Sequence, residues 1–272
     1  MSPQTVRAGN LATNNKSIKT VSTSQQTKPQ PNKLEPTQCL GVVLAGGQSK
    51  RMGKGEKFLK PLNTTSSSTN LLSITSMRLN QQLPDIIVNT NTNKALIEEH
   101  LRTPSADMPI ISDMRPDFAG PLAGLEAAMH WAETHAPEKT HLISVAADSP
   151  YFPENYVTSL IEAQSKTSSP RSAPKTSPPA PIDTQIILAQ SDSHIHPVFG
   201  LWPITLHEDL TKALDQGIRK IRAWAERHPL KTHQFPQTKI NGKDTDPFFN
   251  INTPEEWQSF IRKEQQRQRL KA

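Results

Sequence analysis

Between Leu44 and Lys57 the chain reads Leu-Ala-Gly-Gly-Gln-Ser-Lys-Arg-Met-Gly-Lys-Gly-Glu-Lys, with glycines and cations interleaved. Glycine has no Cβ, so backbone N–H groups in such a loop can approach phosphate oxygens. Arg51 and Lys57 add the charge that neutralises a phosphoryl group in transfer. The spacing is not that of a Walker A loop, because no Gly-Lys-Ser/Thr follows, nor is it Gly-x-Gly-x-x-Gly. A strand-to-helix connection with solvated lysines has a similar composition. The position of this loop directly after an apolar run, with Arg51 and Lys57 in place, favours the phosphate reading.

Other candidates follow apolar runs in the same way. Asp148 comes after His141–Ala147 and is a hard oxygen ligand suited to Mg²⁺ beside phosphates; its competing use is as a turn residue ahead of Ser149-Pro150. Asn89 and Asp113 also end apolar segments, where Asn and Asp are common for turn chemistry alone. Asn250 and Asn252 alternate along an expected strand, Phe248–Asn252, which puts both on one face. There they would meet a substrate or complete a metal shell, while capping the next helix is the simpler role for Asn252. His194 and His196 share a face, but two histidines without a third ligand make a poor zinc site.

These residues need a scaffold, and the pattern supplies one. Short apolar runs at Leu40–Leu44, Asp85–Thr90, Met108–Ser112, His141–Ala147, Gln185–Ala189 and His196–Trp202 read as strands. Helical spacing lies between them, around Leu72, Leu79 and Leu83, at Leu125, Ala128, Met129 and Ala132, at Val157, Leu160 and Ile161, and at Leu206, Leu210, Ala213 and Leu214. It recurs at Ile218, Ile221 and Trp224, and Thr253-Pro254-Glu255-Glu256 opens a last helix. Strands alternating with helices predict an α/β fold with a mainly parallel sheet covered on both faces. Ligands in such folds bind beyond the carboxyl ends of the strands.

Composition limits the folded part and its partners. Residues 1–38 are polar and Pro-containing and read as a disordered basic tail; 164–181 is a Pro/Ser-rich insert; 262–272 is a second basic tail. The domain is expected over 39–261. Each end, taken as 1–38 and 261–272, carries five basic residues against one acid, so of the net +6 the body holds about −2. Basicity in the tails alone gives no reason to expect nucleic-acid binding. The single cysteine, Cys39, excludes an internal disulfide and suits a reducing cytosol; no apolar run is long enough to span a membrane.

The motif Leu-Ala-Gly-Gly-x-Ser-x-Arg-Met-Gly with a lysine shortly after resembles the signature of sugar-phosphate-type nucleotidyltransferases, which have a three-layer Rossmann-like fold. Gly120–Gly124 (Gly-Pro-Leu-Ala-Gly), His196–Trp202 (His-Pro-Val-Phe-Gly-Leu-Trp) and Asn250–Glu256 (Asn-Ile-Asn-Thr-Pro-Glu-Glu) narrow the resemblance to the molybdenum cofactor guanylyltransferase family, from about Gly41 to Phe260. The resemblance implies GMP transfer from GTP to the phosphate of molybdenum-bound molybdopterin, and a GTP site at Leu44, Ala45, Gly46, Gly47, Lys57, Asn89, Asp113 and Asp148. Mg²⁺ would sit on Asp148, and Arg51, Lys57 and Asp148 would be catalytic. Asn250, Asn252 and His196 would face the pterin. It also implies transient contact with cofactor-supplying proteins and a cytoplasmic location. Gly46-Gly47, where pyrimidine-specific relatives more often have Ala-Gly, favours guanine; a cytidylyltransferase and a non-catalytic nucleotide-binding protein are the alternatives. Two departures stand out: Glu56 replaces the Asp that usually precedes the lysine, and Asn63–Asn70 replaces a short Gly-containing turn.

Overall fold

A computed structural model describes residues 33–46, 57–60, 70–101, 108–115, 120–165, 184–240 and 243–269. Every residue of the first strand, β1 (Cys39–Leu44), is buried, as a strand covered on both faces must be. It lies in a seven-stranded sheet with β2 (Ile86–Asn89), β3 (Ile110–Ile111), β4 (His141–Ala146), β5 (Ile186–Ser191), β6 (His194–Pro203) and β7 (Leu230–Phe235), in the order β3-β2-β1-β4-β6-β5-β7. The first four in that order are mutually parallel, β6 runs antiparallel to both its neighbours, and β5 and β7 are parallel. A separate antiparallel hairpin joins β8 (Thr238–Ile240) to β9 (Lys243–Thr245).

Alternation along the strands divides the core into two layers. On one face Val43, Val88, Ile143, Val145, Ile187 and Leu201 meet α1 (Leu71–Asn80), α2 (Lys94–His100), α4 (Tyr156–Ser165) and α7 (Pro254–Arg269). On the other, Val42, Leu44, Ile87, Leu142, Leu188 and Trp202 meet α3 (Pro121–His135), α5 (His207–Asp215) and α6 (Ile221–Ala225). The expected three-layer α/β arrangement is therefore present. Among the described residues no helix is long and apolar enough to cross a membrane.

The expected elements differ from the observed ones at several points. Phe248–Asn252 is not a strand: Phe248 N–H donates to Asp246 Oδ1 at 2.9 Å, closing an Asx turn, and the segment stays irregular. Phe248 and Ile251 are buried from that loop, so apolar burial there imitated a strand. Asn250 and Asn252 consequently have no common strand face. Order also begins earlier than Cys39, since Leu34 is buried and Pro36–Gln38 forms a 3₁₀ turn whose Thr37 carbonyl accepts from Lys139 Nζ at 2.8 Å. Gln164, assigned to the insert, belongs to α4 and contacts His141 Nε2 at 3.0 Å. The last helix continues to Arg269, through much of the segment expected as a tail.

Candidate active site

Strand register collects the candidates at one edge. Leu44 at the end of β1 pairs with Asn89 of β2 and with Ala146 of β4, and Asn89 pairs in turn with Ile111 of β3. Ala45-Gly46, Thr90, Asp113 and Asp148 thus leave the sheet side by side, beyond the carboxyl ends of parallel strands, where α/β folds bind ligands. Backbone bonds continue past the strands: Ala45 N–H donates to Asn89 O at 2.8 Å, and Ala147 N–H to Leu44 O at 3.1 Å. Thr90 Oγ1 donates to Ala45 O at 3.2 Å and holds the first residue of the glycine loop.

On the β2–β3 side the site is a compact amide and carboxylate cluster. Asn89, 2 % exposed, donates from Nδ2 to Asp113 Oδ1 at 3.0 Å. Asn91 Nδ2 donates to Asp113 Oδ2 at 2.8 Å, and Asp113 N–H returns a bond to Asn91 Oδ1 at 3.0 Å. Each Asp113 oxygen accepts one of these bonds and retains acceptor capacity for a ligand N–H. Asn91 was absent from the sequence reading, although its spacing of two from Asn89 was a signal.

Two further residues hold this cluster, one absent from the sequence reading and one present there only within the Gly120–Gly124 motif. Arg115, two positions after Asp113, forms a fork with Glu126 of α3, Nε to Oε2 at 2.8 Å and Nη2 to Oε1 at 2.7 Å. It also reaches Asp215 Oδ1 at 2.7 Å and Thr211 O at 3.2 Å. Bonds to Glu126 first, then to Asp215, raise the guanidinium pKa, and the Glu126 side chain is only 2 % exposed. A carboxylate interrupting the apolar stretch of α3 was the legible sign that a cation lay opposite. Gly124 is the other. A Cβ there would lie 2.4 Å from Asn89 Oδ1 and 2.8 Å from Leu44 Cδ2, so only glycine lets α3 come this close. At the head of the same helix Gly120 has φ +75, a conformation side chains resist.

Across β1, Asp148 is half-buried between buried Ala147 and Ser149. Its carbonyl accepts from Ile251 N–H at 3.0 Å, while Ser149 Oγ donates to Asn250 Oδ1 and to Phe248 O at 3.2 Å. These bonds bring the Asp246–Ile251 loop to the end of β4, so Asn250 stands beside Asp148 despite the absence of a strand. Two oxygen-bearing side chains at a strand end suit a hard divalent cation. Asn252 is exposed, and the residue after it, Thr253, takes the capping position of α7. Thr253 Oγ1 accepts from Glu256 N–H at 3.2 Å, and Glu256 Oε2 accepts from the N–H groups of Thr253 at 2.8 Å and Asn252 at 2.6 Å.

His196 of β6 packs on the same loop, its ring centroid 4.9 Å from that of Phe248 and Nε2 3.1 Å from Asp246 Oδ2. Burial lowers its pKa below the ordinary imidazole 6.5 and His194 adds to the lowering, while Asp246 pulls the other way. Lys57 opens a 3₁₀ turn whose Phe58 and Leu59 are buried in the α1 layer; its side chain, with Gly47, Arg51 and Glu56, lies outside the described residues. So does 63–69. Asn70 ends that departure as the cap of α1, its Oδ1 accepting from Ser73 N–H at 2.8 Å while Ser73 Oγ accepts from Asn70 N–H at 3.0 Å.

A carboxylate set by two amides thus lies at one side of the strand-end edge and Asp148, beside Asn250, at the other, where α/β folds bind ligands. Residues 41–232 match the MobA-like NTP transferase domain, which makes the class nucleotidyltransferase. Molybdenum cofactor guanylyltransferase from Bradyrhizobium sp. (strain ORS 278) is 36 % identical over 217 residues, 79 % of this chain and 88 % of that protein. The enzyme of the same name from Rhizobium johnstonii is 35 % identical over 225 residues, 82 % and 91 % of the two chains. The chain belongs to the molybdenum cofactor guanylyltransferase family. Its fold is shared by molybdopterin-guanine dinucleotide biosynthesis protein A from Archaeoglobus fulgidus, with a TM-score of 0.56 at 19 % identity over 84 % of this chain and 99 % of that one. A manganese complex from Mycobacterium tuberculosis has a TM-score of 0.52 at 14 % identity, covering 83 % and 99 %.

Proposed function

We infer that this enzyme transfers the GMP moiety of GTP to the phosphate of molybdenum-bound molybdopterin. An oxygen of the acceptor phosphate forms the new bond to the α-phosphorus, the bond from that phosphorus to the bridging oxygen of the β-phosphate breaks, and pyrophosphate leaves with the electron pair. No general base is needed, because the acceptor phosphate is already ionised at neutral pH.

The observation that carries this reading is the separation of Asp113 from Asp148 along one strand-end edge. Asp113 follows β3 and Asp148 follows β4, three strand spacings or about 14 Å apart in the order β3-β2-β1-β4. That span separates a base from its phosphates. Asp113, set by Asn89 and Asn91, accepts from the guanine N1–H and amino groups. Leu44 to Gly47 present backbone groups to the nucleoside, and Arg51 and Lys57 stabilise charge on the transferred and leaving phosphates. Asp148, with Asn250 beside it, would hold a divalent cation, Mg²⁺ in this reading, which when bound neutralises phosphate oxygens. Asn250, Asn252 and His196 line the acceptor side.

The test is pyrophosphate release from GTP with molybdenum-loaded molybdopterin and Mg²⁺. Asp148→Ala should reduce turnover by about 10²-fold or more, the scale of a lost metal ligand at several kcal/mol. Unchanged turnover would contradict the metal assignment.

A further inference from the structure

The second half of α3 and the start of α5 bring together three side chains that the nucleotide edge does not use. His130 and Glu133 stand three residues apart on one side of α3. His207 opens α5 next to them, because Leu125, Ala128 and Met129 share a core with Leu210 and Ala213. One ligand atom from each of His130, Glu133 and His207 lies within 4.8 Å of the other two. His207 Nδ1 is 2.7 Å from Glu133 Oε2, and the rings of His130 and His207 are 5.7 Å apart between centroids. Among the described residues, His207 Nε2 is buried without a hydrogen-bond partner, a state folded proteins seldom leave unexplained.

We propose that His130, Glu133 and His207 form a site for a divalent transition metal, Zn²⁺ foremost. Two imidazoles and a carboxylate, with solvent as fourth ligand, are a donor set that Zn²⁺ takes. Mg²⁺ demands oxygen ligands and holds its waters, so the site discriminates against the cation assigned to Asp148. Two donors at about 2.0–2.2 Å from a tetrahedral zinc lie about 3.3–3.5 Å apart, so the 2.7 Å contact of Glu133 with His207 must open while the wider separations close; His130 and Glu133 are exposed and can turn to do so. His207 is the fixed member, 15 % exposed in its side chain and already oriented by Glu133. His130 is nine residues along α3 from Pro121, about 14 Å of helix, so the site is distinct from the nucleotide edge and the proposal does not rest on the transfer reaction. A bound ion would tie α3 to α5.

The experiment is calorimetric titration of Zn²⁺ into the full chain in a non-coordinating buffer, alongside His130→Ala and Glu133→Gln. Both substitutions are at exposed positions and leave the core intact. The parent should bind one Zn²⁺ at this site, with affinity lowered about tenfold or more in each variant, and Zn²⁺ should raise the Tm of the parent more than that of either. Mg²⁺ should not compete. Equal Zn²⁺ affinity in the parent and His130→Ala, or no saturable binding by the parent, would overturn the proposal.

Discussion

Asn89 Nδ2 donates to Asp113 Oδ1 at 3.0 Å, so a residue buried at the end of β2 orients a carboxylate that follows β3. Asp113→Asn keeps the shape but turns an acceptor-only group into one that also donates. Facing guanine N–H groups, it should raise KM for GTP by about 10–100-fold, the scale of one or two hydrogen bonds to a charged acceptor, while affecting kcat less. Steady-state kinetics across GTP concentrations provide the check, and an unaltered KM would remove Asp113 from base recognition.

Arg115→Ala should act on both stability and binding. It strands the carboxylate of Glu126, 2 % exposed, and a broken buried pair costs roughly 3–5 kcal/mol; the partial exposure of Arg115 places the expectation at the lower end. Glu126→Gln with Arg115→Met, which removes both charges together, should recover most of the loss. Urea midpoints of the single and double variants measure the coupling, and KM for GTP in the same proteins shows whether the loop carrying Asp113 has shifted.

Gly124→Ala puts a methyl group 2.4 Å from Asn89 Oδ1. Asn89 is held by Asp113 and cannot turn aside without losing that bond. Overpacking of this kind costs about 1–3 kcal/mol, so a lowered Tm and a raised KM for GTP are expected together. A stability loss with unchanged KM would mean that α3 moves instead of Asn89.

What was readable in the sequence follows from the physics of each segment. β1 and β4 are buried on both faces and therefore appear as continuous apolar runs, and their ends locate Leu44 and Asp148. β7 was not foreseen because Lys231, Thr232, His233 and Gln234 leave an edge strand with little apolar pattern. α2 escaped for a similar reason, since Ile97 is its one fully buried anchor among the described side chains. The Asn250 loop failed the opposite way, its Phe248 and Ile251 burying like strand residues while the Asp246 turn prevented pairing. Arg115 and Asn91 act through partners 11 and 22 residues distant, so the Glu126 carboxylate within α3 and the spacing of Asn91 from Asn89 signal that partners exist, and only the folded chain identifies them.

His196 should give a pH signature. Its folded pKa lies below the ordinary 6.5 through burial, so between the two values the unfolded chain binds more protons than the folded one. The stability contribution is full above pH 6.5 and declines as pH falls from there towards the folded pKa. His196→Asn should flatten that part of the curve. Thermal midpoints of both proteins between pH 5 and about 7.5 measure it, and parallel curves would exclude His196 as the source.

GMP transfer at this edge requires guanine to be read at one end of the strand edge and phosphates to be handled at the other. Competition between GTP and CTP in pyrophosphate release, with molybdenum-loaded molybdopterin and Mg²⁺, tests this directly. GTP should be used in strong preference, by about 10²-fold or more in kcat/KM, and Asp113→Asn should reduce that preference. Equal use of the two nucleotides, or preference for CTP, would contradict it.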